Sequence, residues 1–274
     1  MNDISFISLN KIRSRLVMNL YNQIYSDYHF EIHHDIISFK HYLKKLPANL
    51  ELSQVIKVKN TLVGLAIISL VNNKAWISSL GIIKEHRGQG LGDSLLKKVI
   101  YNIKEAGGHQ IGLEVLDFNY PANRLYKKYG FEILSKLTSL EGKLNSNKKC
   151  DLELVRLSFS EVEKYLEDTS MYVWSRRKHS LSKTTEWVGM KSNEELLVLM
   201  GYETDDSIIV KRIQPLKNDA DIIANLFNVL AKKYEFNKKY YLLNFSDNER
   251  KVITLAKQFG LKEFLVQNLL ELNI

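Results

Sequence analysis

The sequence lacks several features that would assign the chain to whole classes of protein. It contains one cysteine, Cys150, so no internal disulfide can form, and this fits a reducing cytosol. We interpret Cys150 as a passive residue rather than a catalytic thiol. The longest apolar run, Leu62 to Val71, is about half of the ~20 residues that a membrane-spanning helix needs, so it predicts a buried strand. The first residues show no basic region followed by an apolar core, and we expect no secretory signal, no membrane partner and a cytoplasmic location.

Positive charge is in excess but is not concentrated in one place. The chain has 39 Lys+Arg and 31 Asp+Glu, a formal net charge of +8 that favours anionic partners. The basic groups, among them Arg176-Arg177-Lys178, are scattered, and we expect most of them to lie on solvated faces. No nucleic-acid motif accompanies them, so we infer no nucleic-acid partner. His33 and His34 have no third ligand at metal spacing, and no metal is predicted.

Hydrophobic patterning predicts a mixed α/β fold in two parts. Residues 1 to about 50 are predicted as helices, and an antiparallel meander follows that ends in the apolar run Ala75–Ile83. A helix from Asp93, a strand over Gln110–Leu116 and a short helix over Asn119–Tyr129 come next. The polar, aperiodic stretch 145–149 predicts a boundary between a domain of residues 1–146 and a domain of residues 147–274.

The second half repeats the order of the first. Predicted strands cover residues 196–200, 207–213, 240–245 and 260–272, and predicted helices cover 219–232 and 247–259. Each half also contains an aromatic-Gly-apolar triplet after its last helix, Tyr129-Gly130-Phe131 and Phe259-Gly260-Leu261. Internal duplication explains this common order.

One glycine-rich loop, Arg87-Gly88-Gln89-Gly90-Leu91-Gly92, lies between a predicted strand and a predicted helix. Glycines let the backbone approach a ligand closely, and a helix N-terminus favours anions, so the loop predicts a site for a group such as a pyrophosphate. A P-loop would continue with Lys-Ser/Thr, whereas Asp93-Ser94 follows here. The pattern also departs from the G-x-G-x-x-G of dinucleotide-binding folds. A plain glycine turn that caps a helix stays open.

The pattern Arg-x-x-Gly-x-Gly on a strand–loop–helix resembles motif A, the acyl-CoA loop, of the GNAT N-acyltransferase superfamily. Residues Asn119-x-x-Ala122-x-x-Leu125-Tyr126-x-x-x-Gly130-Phe131 resemble its motif B, and Leu113-Glu114-Val115 lies at the expected strand between them. The resemblance covers residues 75–135 and extends to the second half only through element order. It implies a fold of class α/β (mixed α+β), with two tandem GNAT-like domains, each a mixed, mostly antiparallel sheet flanked by helices.

The resemblance also implies a cofactor site for acetyl-CoA. The main-chain amides of Gln89, Gly90, Leu91 and Gly92 would take the CoA pyrophosphate, with Arg87 shaping the loop and with Gly88 and Asp93 at its two sides. The strand edge formed by Leu80, Ile82 and Ile83 would pair with the pantetheine arm. The amide of Ile82 would also polarise the thioester carbonyl, and Asn119 would hold the pantetheine or acetyl end.

Two catalytic residues are implied in the same way. Tyr126 would be the general acid that protonates the departing thiolate, because a phenol with a pKa of about 10 stays protonated at neutral pH. Glu114 would be the base, acting through water as in the ribosomal-protein N-terminal acetyltransferases that this segment resembles. A structural hydrogen-bonding role for Glu114 stays open, and Glu85 and His86 are the alternative bases.

The sequence therefore predicts an acetyl-CoA-dependent N-acetyltransferase that acts by direct transfer on a primary amine of a small molecule or peptide, as a monomer or homodimer. A CoA-binding sensor or interaction module without turnover, and a transferase for a longer acyl group, remain alternatives. In the second half, Arg212–Ala220 contains no glycine and Asp247–Thr254 contains no tyrosine. We therefore expect this half to bind no CoA and to wall the acceptor cleft, in a layout that resembles the mycothiol synthase type.

Overall fold

Two compact units make up the chain. The computed structural model describes residues 3–146, 148, 150, 152–166, 172–181, 185–217, 221–233 and 238–274. The first unit contains Met1–Val115, Asn119–Ile133 and Leu270–Ile274, and the second contains Leu116–Phe118 and Leu134–Leu269. The domain boundary predicted between residues 146 and 147 falls inside the second unit. Residues 147 and 149 of that boundary stretch, and residues 219 and 220 of a predicted helix, lie outside the described residues.

The first unit is a sheet with the strand order β1-β2-β3-β4-β5 and helices packed against it. Its strands are β1 (Ile4–Ser8), β2 (Gln54–Val58), β3 (Thr61–Val71), β4 (Lys74–Ile82) and β5 (Gln110–Leu116), and its helices are α1 (Ser14–Tyr25), α2 (Ile36–Lys45), α3 (Leu91–Glu105) and α4 (Tyr120–Lys128). Strands β1 to β4 pair in antiparallel fashion. The predicted meander, the helix after the glycine loop and the short helix α4 are all present.

The prediction that residues 1 to about 50 are helical is wrong at its start. Residues Ile4–Ser8 form β1, which pairs with β2 from Ile4↔Val58 to Ser8↔Gln54. A strand of this length has little local signal, because its hydrogen bonds come from a partner about 50 residues further along the chain. The helical prediction holds for α1 and α2.

Residues near both ends of the sequence complete the hydrophobic core of the first unit. Helix α1 approaches β4 closely, since a Cβ added at Gly81 would lie 2.3 Å from Cγ2 of Ile24. At the other end of the chain, Leu270 is buried in the same core, and the amide of Ile274 donates to the oxygen of His109 at 2.9 Å. The last residues therefore belong to the unit that carries the glycine loop.

The second unit has the strand order β12-β6-β11-β10-β9-β8-β7. Its strands are β6 (Glu132–Gly142), β7 (Glu153–Leu157), β8 (Glu186–Ser192), β9 (Glu195–Thr204), β10 (Ser207–Pro215), β11 (Lys239–Ser246) and β12 (Lys262–Asn273), and its helices are α5 (Phe159–Val162), α6 (Lys178–Leu181), α7 (Ile222–Lys232) and α8 (Arg250–Gln258). Strands β7 and β8 had no counterpart in the sequence predictions. None of the helices in the described ranges is long and apolar enough to cross a membrane.

A parallel strand pair connected through a helix occurs in each unit. In the first unit, β4 and β5 are connected by α3 and pair in parallel up to Ile77↔Leu113. In the second unit, β10 and β11 are connected by α7 and pair in parallel up to Val210↔Leu242. This agreement extends the common order of elements from the sequence to the strand pairing.

Candidate active site

Strand β4 has a free edge where its pairing with β5 ends. The parallel register runs to Ile77↔Leu113, while β4 stays paired with β3 as far as Ile82. The amide of Ile83 donates to the oxygen of Val63 at 2.9 Å, and successive amides along a strand point to opposite sides. The amide of Ile82 therefore points to the side that β5 has left, whereas the amide of Ile83 is already engaged with β3.

The glycine loop follows directly and presents backbone amides. Gly88 and Gly90 both have φ of 75°, in the left-handed region that favours glycine, and Gly90 is the N-cap of α3. The first hydrogen bond of the helix runs from the Ser94 amide to the Gly90 oxygen at 3.0 Å. The amides before Ser94 have no partner within the helix, because the first turn of any helix leaves them without one. The loop thus has the backbone geometry of an anion site.

Arg87 anchors this loop instead of pointing toward a ligand. Its guanidinium donates two hydrogen bonds of 2.8 Å to the carboxylate of Asp27. It also donates to the oxygens of Ile82 at 2.9 Å and Ile24 at 3.1 Å. These bonds tie the end of β4 to the end of α1 and hold the first residue of the loop in place. Asp27 was missed, since nothing near residue 27 in the sequence indicates a partner 60 residues away.

Asp93 connects the start of α3 to the end of α4. Its carboxylate pairs with Lys128 and accepts a hydrogen bond of 3.0 Å from the Tyr129 hydroxyl. The hydrogen bond from Lys128, with its charge, lowers the pKa of Asp93 below its ordinary value. The Asp93 carboxylate is therefore ionised, and the charge of Lys128 compensates it. This limits its repulsion of an anion that binds at the N-terminus of α3.

The two polar residues of motif B have different surroundings on α4. Asn119 caps the helix, because its side-chain oxygen accepts the Ala122 amide at 3.3 Å. Tyr126 is buried, with 6% of its surface exposed, and its ring lies 5.4 Å from that of Phe131. Burial raises the pKa of Tyr126 above its ordinary value, and the nearby Tyr28 raises it further. The phenol is thus protonated at neutral pH, which a general acid requires.

Glu114 lies at the point where β4 and β5 separate. It follows Leu113, the last residue of β5 paired with β4, and is half-buried. Burial raises the pKa of Tyr42, and the charge of Glu114 adds to this increase. Of the alternative bases, Glu85 is exposed on the loop, and His86 lies in the same turn.

The corresponding place in the second unit is filled by a side chain. Arg176 donates to the oxygens of Lys211 on β10 and Asn244 on β11, each at 2.7 Å. It also forms a bidentate pair with Glu249 at 2.6 and 2.7 Å, and its guanidinium lies 3.8 Å from the ring centre of Phe245. Arg176 thus bridges β10 and β11 beyond their parallel register.

This burial corrects one expectation from the sequence. Most of the basic groups were expected on solvated faces, but Arg176 and Arg177 are only 1% and 5% exposed. Arg177 donates to the Tyr172 oxygen at 3.0 Å. A run of basic residues is usually solvated, and the acidic partner Glu249, 73 residues away, is not visible from the local sequence.

Comparison with known proteins supports a family for the first unit. Residues 15–131 match the model of the acetyltransferase (GNAT) family. A Bacillus subtilis protein, named provisionally as a ribosomal protein bS18-alanine N-acetyltransferase, is 37% identical over 78 residues, which is 28% of this chain and 52% of that protein. The ribosomal protein bS18-alanine N-acetyltransferase of Haemophilus influenzae is 38% identical over 72 residues, which is 26% of this chain and 49% of that protein.

The fold extends beyond the matched segment. The crystal structure of a GCN5-related N-acetyltransferase from Sphaerobacter thermophilus has a TM-score of 0.70 to this chain at 9% sequence identity, covering 98% of this chain and 95% of that one. At this identity the likeness shows the fold alone, a mixed α/β fold with an open mixed sheet and flanking helices. The chain spans about half the length of the curated relatives named above.

Proposed function

We propose that the first unit, in which residues 15–131 match the model of the acetyltransferase (GNAT) family, transfers an acetyl group from acetyl-CoA directly to a primary amine of a small molecule or peptide. The observation that carries this proposal is the free edge of β4, which leads from Ile82 into the glycine loop. A Cβ added at Gly92 of that loop would lie 3.9 Å from Ile82 and 3.7 Å from Leu125 on α4, the neighbour in sequence of the buried Tyr126. The cytoplasmic location and the monomeric or homodimeric state remain predictions.

In this proposal, CoA lies along the free edge of β4. The amides of Gln89, Gly90, Leu91 and Gly92 take the pyrophosphate, as the unpaired first turn of α3 permits. The pantetheine arm pairs with Leu80 and Ile82, whose main-chain amide and carbonyl groups point to the same side of β4. The Ile82 amide then donates to the thioester oxygen and stabilises the negative charge that develops there. Asn119 contributes its amide nitrogen, since its side-chain oxygen is used in capping α4.

The reaction needs one base and one acid. The acceptor ammonium gives a proton to Glu114. The amine nitrogen then has the lone pair that attacks the thioester carbon. A carbon–nitrogen bond forms, the carbon–sulfur bond breaks, and the sulfur leaves with the electron pair. The sulfur takes the hydroxyl proton of Tyr126. On becoming an amide, the nitrogen loses a second proton, which replaces the one that Tyr126 has given.

We further propose that the two units are tandem GNAT-like domains, of which the second binds no CoA, although their borders differ from the predicted ranges 1–146 and 147–274. The parallel pair β10–β11 supports the common architecture. Arg176 supports the loss of binding, because it uses main-chain oxygens of both strands where a pantetheine arm would have to enter. Calorimetry should therefore find one CoA site per chain, and a stoichiometry of two would contradict this assignment.

Arg176 should also be important for stability. Removing one partner of a buried ion pair costs about 3–5 kcal/mol, so Arg176→Ala should lower the free energy of unfolding by that amount. Arg156→Ala is the matched control, because Arg156 pairs with Glu186 at the surface, where such a pair contributes about 0–1 kcal/mol. Urea denaturation measures both variants. Equal losses would mean that Arg176 does not hold β10 and β11 together.

A thiol-release assay with acetyl-CoA and a panel of amines tests the proposed activity. The panel should contain small primary amines and a peptide with an N-terminal alanine, which the names of the two curated relatives suggest as an acceptor. Thiol release that requires both acetyl-CoA and an amine supports the proposal. Tight CoA binding without release on any amine would favour the sensor, and faster release from a longer acyl-CoA would favour the alternative donor.

A further inference from the structure

Aromatic rings from α1, α2 and the segment between them collect beside the proposed reaction centre. We call Tyr21, Tyr25, Tyr28, His34 and Tyr42 the tyrosine cluster. Its ring centres lie 4.7 Å apart for Tyr21 and Tyr25, 5.3 Å for Tyr25 and Tyr28, and 5.2 Å for His34 and Tyr42. Tyr21 is buried, whereas the other four are partly exposed. Solvent therefore reaches part of this aromatic surface.

One hydroxyl group of the cluster contacts β4. The Tyr42 hydroxyl lies 3.0 Å from that of Ser79, and Ser79 is itself buried. Tyr21 and the proposed acid Tyr126 belong to the same hydrophobic core, and Tyr25 and Tyr42 pack against it. The charge of the proposed base Glu114 also contributes to the raised pKa of Tyr42, after the larger effect of burial.

The charges around the cluster restrict what it can bind. Glu114 is a carboxylate that acts on Tyr42. Asp27 is held by Arg87, and Asp35 caps α2 by accepting the amides of Ile37 and Ser38 at 2.9 and 2.7 Å. Asp27 and Asp35 are thus engaged within the protein, and a second ammonium group on an acceptor would lose water against the rings, which is unfavourable.

We propose that the tyrosine cluster binds the ammonium end of the acceptor, and that it selects amines with one positive charge next to apolar atoms over polyamines. The face of a tyrosine ring attracts a cation within about 6 Å of its centre. Glu114 then neutralises the single ammonium by taking its proton. The inference rests on the proposed function for the nearby acetyl donor, but the binding itself requires no acetyl transfer.

The first test compares choline with 3,3-dimethyl-1-butanol by NMR titration of the full chain. The two molecules have the same shape and differ in one positive charge. Choline should bind about 10-fold more tightly, since cation–π contacts of this kind have that magnitude. Tyr28→Leu should remove most of the difference and Tyr28→Phe should keep it. Tyr101→Leu is the matched control, because Tyr101 is an exposed tyrosine on α3.

The second test compares butylamine with putrescine, which has the same carbon chain and a second ammonium group. Butylamine should bind about 10-fold more tightly, because the second charge of putrescine must also be desolvated while Asp27 and Asp35 are already engaged within the protein. Equal binding of choline and its neutral isostere, or tighter binding of putrescine, would overturn the proposal even if Tyr28→Leu failed to fold. Selective cation binding without thiol release would instead contradict the proposed acetyl transfer and leave the cluster assignment standing.

Discussion

Tyr126→Phe should lower turnover by about 10²- to 10⁴-fold while leaving CoA affinity unchanged, because general acid catalysis has this magnitude. The substitution removes one oxygen from a side chain that is buried, and the ring can keep its contact with Phe131. The thiolate then leaves without a proton donor. Steady-state kinetics with acetyl-CoA and calorimetry with CoA separate the loss of turnover from a loss of binding.

Tyr120→Phe is the matched control for this substitution. Tyr120 lies on the same helix and is 66% exposed, so loss of its hydroxyl should change turnover by less than about 2-fold. The pH dependence gives a second check. Since burial raises the pKa of Tyr126, its acid form persists to higher pH, and activity should not decline up to about pH 10, the ordinary phenol value. Unchanged turnover in Tyr126→Phe would remove Tyr126 from the mechanism.

Gly90→Val should weaken CoA binding by about 100-fold or more, since each charge-assisted hydrogen bond lost to the pyrophosphate costs about 1.5–3 kcal/mol. Gly90 has φ of 75° at the N-cap of α3. A Cβ added there meets no atom of the protein within 4 Å. The protein should therefore fold, but the valine methyl groups would stand where the anion approaches the amides. Calorimetry with CoA measures the change.

Gly107→Val is the matched control, because Gly107 has a similar backbone conformation and equally open surroundings. Gly107 has φ of 78° after the other end of α3, and a Cβ added there also meets no atom within 4 Å. Both variants should lose about 1–2 kcal/mol of stability from the left-handed backbone, but only Gly90→Val should lose CoA binding. If the two variants bound CoA equally well, the pyrophosphate would have to lie elsewhere.

The sequence was sufficient for the elements around the proposed site because the signals there are local. Apolar runs predicted β3 and β4, the glycines marked the turn, and the Asn119 and Gly130 positions marked the two ends of α4. Each of these signals depends on residues that lie close together in the sequence. The match of residues 15–131 to the family model confirms the resemblance over this segment.

What the sequence did not reveal depends on distant partners. Asp27 becomes important only because Arg87 reaches it from the end of β4. Arg176 is buried only because Glu249 and two main-chain oxygens compensate its charge. The tyrosine cluster is likewise assembled by packing, since Tyr42 on α2 meets Ser79 on β4. Long-range pairs of this kind leave no periodicity in the sequence, so only the fold reveals them.

A crystal structure of the chain with CoA would show where the donor binds. We predict one CoA per chain, with its pyrophosphate on the amides of residues 89–92, its pantetheine along β4 at Leu80 and Ile82, and its sulfur within hydrogen-bond reach of the Tyr126 hydroxyl. CoA between β10 and β11 of the second unit, or a sulfur far from Tyr126, would contradict this prediction.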